Sequence, residues 1–160
     1  MYRNRFCNCD ECKRDILDDI EKGICNIRQG IKDIQTGLDL ICCTRIREGI
    51  ACVERGLCRV EKGLCEVLDG LTDYEFECDY RNNMCIRKGI CDLKDGVRGV
   101  SQGLCELKKC CLCEGIVDIR KGLKDLEQGL CNLVAGVDEI RSERARRWRN
   151  KCAEIMPDIC

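Results

Sequence analysis

Residues 21–41 read EKGICNIRQGIKDIQTGLDLI. With Ile20 in front, an aliphatic seam runs through Ile20, Ile24, Ile27, Ile31, Ile34, Leu38 and Ile41, in alternating steps of four and three. Those steps return to one face of an α-helix, so the stretch predicts an amphipathic helix with a heptad seam at positions a and d. Glycine falls at Gly23, Gly30 and Gly37, once per heptad and each time directly before an a residue.

The same register recurs every 33 residues. It carries these glycines onto Gly56, Gly63 and Gly70, then Gly89, Gly96 and Gly103, then Gly122, Gly129 and Gly136. Gly49 and Gly115 stand 66 apart and mark a duplicated pair of repeats. The aliphatic seam recurs too, for example through Ile50, Val53, Leu57, Val60, Leu64 and Val67. It slips by five from Ile41 to Ile46 and from Leu107 to Leu112, and it breaks at the polar stretch TDYEFECDY, residues 72–80. Read as reversals, the slips predict an all-α, antiparallel up-down four-helix bundle. The helices would run over about 12–42, 46–73, 80–109 and 113–153, in one domain spanning 1–160. The first and third junctions, CCTRIR and CCLCEG, contain no Pro, and the four-residue steps Leu38, Cys42, Ile46, Ile50 would also suit an unbroken helix. Ankyrin repeats share the length of 33 but use Pro and His in their turns; this chain has one Pro and no His.

Glycine inside a helix costs about 1 kcal/mol relative to Ala. Twelve in register would cost on the order of 10 kcal/mol, comparable to the stability of a whole domain. Something must offset that. Lying at position g beside the seam, they either let a neighbouring helix of the same chain approach closely or form a groove for a helix of another molecule.

Composition narrows the function. The charges are 28 basic against 29 acidic, which argues against a general nucleic-acid binder. The segment EIRSERARRWRNKC carries Arg141, Arg144, Arg146, Arg147, Arg149 and Lys151 around Trp148. It reads as a charged helix end more than as an RNA patch. Tyr74, Phe76 and Tyr80 read as an apolar cap or a subunit contact. The absence of His removes the commonest general base and zinc ligand. There is no nucleophile elbow or phosphate loop, so no enzyme activity and no small-molecule substrate are expected. No run is long enough for a membrane span, and the start, MYRNRFCNCDECKRD, has no apolar stretch of a secretory signal. Synthesis in a cytosol is therefore expected.

Cysteine is the outlier, at 19 of 160 residues. Taking the residue after each glycine as a, Cys25, Cys58, Cys65, Cys91, Cys105 and Cys131 are all b, and Cys52 and Cys85 are c. These eight are expected to point outward, away from an Ile/Leu/Val seam. Cys58 and Cys65 are seven apart, too far to pair with each other along one helix. They are candidates for crosslinks to another molecule. The remaining eleven, Cys7, Cys9, Cys12, Cys42, Cys43, Cys78, Cys110, Cys111, Cys113, Cys152 and Cys160, should gather at the two tips of the bundle and serve the same end. A Cu(I)-storing bundle would instead turn thiolates inward. The alternative metal reading rests on Cys7, Cys9 and Cys12 together with Cys110, Cys111 and Cys113, as thiolate ligands for Cu(I) or Zn(II). A redox buffer is a third option.

A small, cysteine-dense chain without His or a secretion signal, with thiols in CxCxxC and CC clusters, resembles the clostridial cysteine-rich spore coat and exosporium proteins. The resemblance covers the whole chain in size and composition, although the NPQC-type repeats of some larger relatives are absent. It implies synthesis in the mother cell, deposition on the spore surface, and self-assembly crosslinked by intermolecular disulfides. The implied partners are further copies of the chain and other cysteine-rich coat proteins, with no cofactor and no catalytic residue.

Overall fold

The structure, a computed structural model, describes residues 9–75 and 83–155, with side chains for 17–72 and 83–150 apart from Arg144 and Trp148. It consists of α1 (Cys9–Cys42), α2 (Ile46–Glu75), α3 (Met84–Lys108) and α4 (Leu112–Ile155). The start of α3 and the two hairpin turns follow from local chemistry. α3 begins at Met84, later than the expected residue 80, because Asn83 is its N-cap and accepts a hydrogen bond from the Ile86 amide. Phe76, Cys78 and Tyr80 lie outside the described residues, as does the side chain of Tyr74.

The first and third junctions both reverse the chain. Arg45 N–H donates to Leu40 O (2.9 Å) and Thr44 N–H to Ile41 O (3.1 Å). Cys111 N–H donates to Glu106 O (2.9 Å) and Cys110 N–H to Leu107 O (3.1 Å). This is the Schellman pattern, which needs one residue in the left-handed region, usually Gly. Here Thr44 and Cys110, 66 residues apart, take that conformation, both at φ 68°. α1–α2 and α3–α4 are therefore two hairpins of one design, and the unbroken-helix alternative is excluded.

The hairpins close into a bundle through α1 against α4 and α2 against α3. The buried core is Ile, Leu and Val alone, with no buried polar or charged residue among the described ones. Its deepest residues, Leu71 apart, are at d: Ile27, Ile34, Val60, Leu93, Leu126 and Leu133 are all fully buried. Several a residues, Ile50, Leu57, Ile90 and Leu123 among them, are only half-buried. The inward face is thus centred on d, flanked by a and g, and not on an a/d seam.

The glycines at g explain the shift. A Cβ on Gly30 would stand 2.5 Å from Gly56 O and 2.9 Å from Val60 N, and a Cβ on Gly56 would stand 2.6 Å from Gly30 O. The same reciprocal contact joins Gly23 to Gly63 and Gly37 to Gly49 in the first hairpin. In the second it joins Gly89 to Gly129, Gly96 to Gly122 and Gly103 to Gly115. Gly136 packs against the Ile86 amide instead, and Gly70 is buried. Backbone meets backbone within each hairpin, and in these six reciprocal pairs each glycine Cα faces the carbonyl oxygen of its partner. Such contacts contribute roughly 0.5–1 kcal/mol each, which offsets much of the helix-propensity cost. The glycine stripe is internal packing; the groove for a foreign helix is filled by the chain itself.

Candidate functional site: the outward thiols

At about 100° per residue, b lies some 160° round the helix from d. Every b thiol should therefore face away from the core, and all six do: Cys25, Cys58, Cys65, Cys91, Cys105 and Cys131 are exposed. Each helix carries at least one. Position c differs, because it lies only about 40° beyond g. Cys52 and Cys85, expected to point outward, are half-buried along the glycine seams. Cys52 Sγ accepts from Arg55 Nη2 (3.0 Å), and Cys85 Sγ lies 3.8 Å from Glu139 Oε1. The cause is the glycine at g: it lets the partner helix of the hairpin approach so closely that the neighbouring c position is partly covered.

The two hairpin turns share one end of the bundle, which gathers five of the tip thiols there. Cys42, Cys43, Cys110 and Cys113 are exposed, and Cys111 is half-buried. Desolvation pushes the Cys111 thiol pKa up, with the Glu114 carboxylate and then Glu106 acting in the same direction. Less thiolate at neutral pH makes it a slower nucleophile. Cys110, Cys111 and Cys113 are close in sequence, but among the described residues no group of three or more Cys, Asp or Glu side chains is placed to hold a metal ion. Cys7, Cys78 and Cys160, and the side chains of Cys9, Cys12 and Cys152, lie outside the described set. All thirteen cysteines with described side chains are free thiols.

Two ladders of polar pairs run along the helix contacts, which hydropathy and cysteine position do not disclose. Within hairpins, c meets c: Asn26 Nδ2 donates to Glu66 Oε2 (2.6 Å), Arg59 pairs with Asp33 (2.5 Å), and Asn132 Nδ2 donates to Asp92 Oδ2 (2.9 Å). Between hairpins, e meets e: Gln35 Nε2 donates to Glu127 Oε1 (2.6 Å), Lys108 pairs with Glu54 (2.6 Å), and Arg141 with Glu21. The residue numbers of each e–e pair add to a constant, and extending the glycine register across two antiparallel helices would have exposed that rule.

Past Ile140 the helix α4 has no further buried residue among those described; Arg146 and Arg149 are exposed, as a solvated helix end would be. No helix of the described residues is long and apolar enough to cross a membrane. Fold and surface together define a class: an internally duplicated helical bundle with an aliphatic, glycine-tightened core and thiols on its outside. No family model matches the chain, and no curated protein or solved structure matches it.

Proposed function

We propose that this protein is a structural building block that self-assembles and is locked by intermolecular disulfides, of the kind deposited on a spore surface. The observation that carries the reading is the exposure of all six b thiols on a bundle whose interior needs none of them. An enzyme or a metal store would converge its reactive groups; these diverge over four helices. The glycine seams support the same reading, since backbone packing makes a stiff unit that transmits load. The chemistry is simple: two thiols on different copies form one S–S bond, and two protons and two electrons pass to dioxygen, giving hydrogen peroxide. Assembly would thus follow exposure to an oxidising surface. The spore assignment rests on the compositional resemblance, and other cysteine-rich coat proteins are the natural further partners.

The test is particle size by light scattering on protein purified under air, before and after strong reductant. Large particles that fall to 18.3 kDa units are expected. A monomer under both conditions at high concentration overturns the proposal.

A further inference from the structure

Adding 66 maps α1 onto α3 and α2 onto α4, and the contacts obey the mapping in both directions. Gly30–Gly56 becomes Gly96–Gly122, and Thr44 becomes Cys110. Across the hairpins, the Lys108–Glu54 pair becomes Cys42–Arg120, and Arg120 Nη2 indeed lies 3.7 Å from Cys42 Sγ. A relation that exchanges the hairpins both ways is a two-fold rotation without translation. Because α1 and α3 run in the same direction, its axis lies along the bundle. Residues 66 apart therefore sit at one height on diagonally opposite corners, facing opposite ways.

Among the exposed b thiols, two pairs obey that spacing: Cys25 with Cys91, and Cys65 with Cys131. The equivalents of Cys58 and Cys105 are Lys124 and Asp39. (Cys12 and Cys78 also share the spacing but lie outside the described side chains.) We infer that the partner surface of this protein is its own opposite corner: Cys91 of one copy bonds Cys25 of the next, and Cys131 bonds Cys65, along two crossing diagonals. This rests on the building-block reading above and specifies its geometry. Copies displaced along the diagonals without rotation meet at matched height, a head-to-tail contact that does not close. Two such directions make a sheet one molecule thick, with the helices standing across it.

Two features fit a contact of first hairpin with second hairpin rather than like with like. Residues 9–75 carry 15 acidic and 10 basic residues, whereas residues 84–155 carry 11 acidic and 15 basic. Opposite net charge favours the unlike pairing. Beside the second thiol pair, Leu68 and Val134 also stand 66 apart and offer partly buried aliphatic surface at equal height. A Cys25–Cys91 bond inside one chain would have to cross the core, so any such bond joins two copies. Each forms as above, by two-electron oxidation with dioxygen as acceptor.

Disulfide mapping tests this. Full-length protein is oxidised in air, free thiols are capped, and unreduced peptides are identified by mass spectrometry. Cys25–Cys91 and Cys65–Cys131 peptides should dominate the helix-face bonds. The quadruple variant C25S/C65S/C91S/C131S should lose at least tenfold of the species above dimer on non-reducing gels, while C58S/C105S should keep them. If the wild-type chain crosslinks through other cysteines, or the quadruple variant crosslinks normally, this assignment falls and the building-block reading stands. If the wild-type chain does not assemble at all, both fall.

Discussion

The bundle is held by two unlike kinds of helix contact. Within each hairpin, glycine faces glycine and the backbones touch; between hairpins, half-buried a residues and exposed e–e pairs meet across a side-chain layer. The first kind is intolerant of any added atom and gains from weak contacts repeated at each heptad. The second tolerates exchange, because its polar pairs are solvated. A repeat this rich in glycine is stable only where a partner helix lies within backbone reach. The hairpin, and not the single helix, is thus the unit that the duplication copied.

The largest effect should come from breaking a glycine seam. Gly30→Ala would gain about 1 kcal/mol in an open helix. Here its methyl group must enter a space 2.5 Å from Gly56 O and 2.9 Å from Val60 N. Neither atom can turn aside, so the two helices must separate and loosen the neighbouring reciprocal contacts. A net loss of about 2–3 kcal/mol is expected, with a melting temperature lower by about 4–12 °C. Gln29→Ala, one residue away and exposed, should stay within about 0.5 kcal/mol of the wild type. Equal melting temperatures for the two variants in thermal denaturation would show that the seam is not the constraint proposed.

A middle-sized effect should appear at the turns, which are the weakest links of the tight hairpins. A left-handed conformation costs an L-residue roughly 1–2 kcal/mol, and most for a β-branched side chain. Thr44 is β-branched and Cys110 is not, yet both stand at φ 68°. Thr44→Gly should therefore stabilise the chain by about 0.5–1 kcal/mol, after the entropy glycine adds to the unfolded state. Cys110→Gly should gain less. Chemical denaturation of reduced protein measures both, and a reversed order would count against backbone strain as the cause.

These contrasts also mark what the sequence discloses. The helical segments could be read from glycine spacing and aliphatic period, because a heptad sustained over three or four repeats has one structural meaning, whereas steps of four through Leu38, Cys42, Ile46 and Ile50 suited an unbroken helix as well as a reversal. The centring of the inward face could not be read. Hydropathy registers what a side chain buries, and glycine at g buries only backbone, so the face looked like a/d and Cys52 and Cys85 looked fully outward. The turns gave no glycine signal because Thr44 and Cys110 occupy the glycine position. The single glycine outside the register, Gly99 at c, would place its Cβ 3.0 Å from Gly122 Cα and extends the second seam. The b thiols were legible by position alone, since b faces outward in any bundle of this heptad. Their matched heights needed the two-fold axis, which exists only once the hairpins are paired.

The smallest effect should lie between the hairpins, where the Lys108–Glu54 pair is 59% and 44% exposed. Glu54 raises the Lys108 pKa, mainly by the hydrogen bond and then by its charge. Water and salt screen such a pair, so Glu54→Lys should lower the melting temperature by only about 2 °C or less at low ionic strength. Added salt should shrink the difference further, since the repulsion between the two lysines is screened over roughly 8–10 Å. The exchange Glu54→Lys with Lys108→Glu should restore the wild-type value, because the e–e geometry does not distinguish the order of the charges. The glycine seam offers the opposite behaviour: no second substitution on the facing helix can make room for a Cβ that abuts backbone. Rescue between hairpins combined with no rescue within them would separate the two contacts by mechanism and not only by size. Failure of the charge exchange to rescue would mean that the inter-hairpin face is as exacting as the glycine seams.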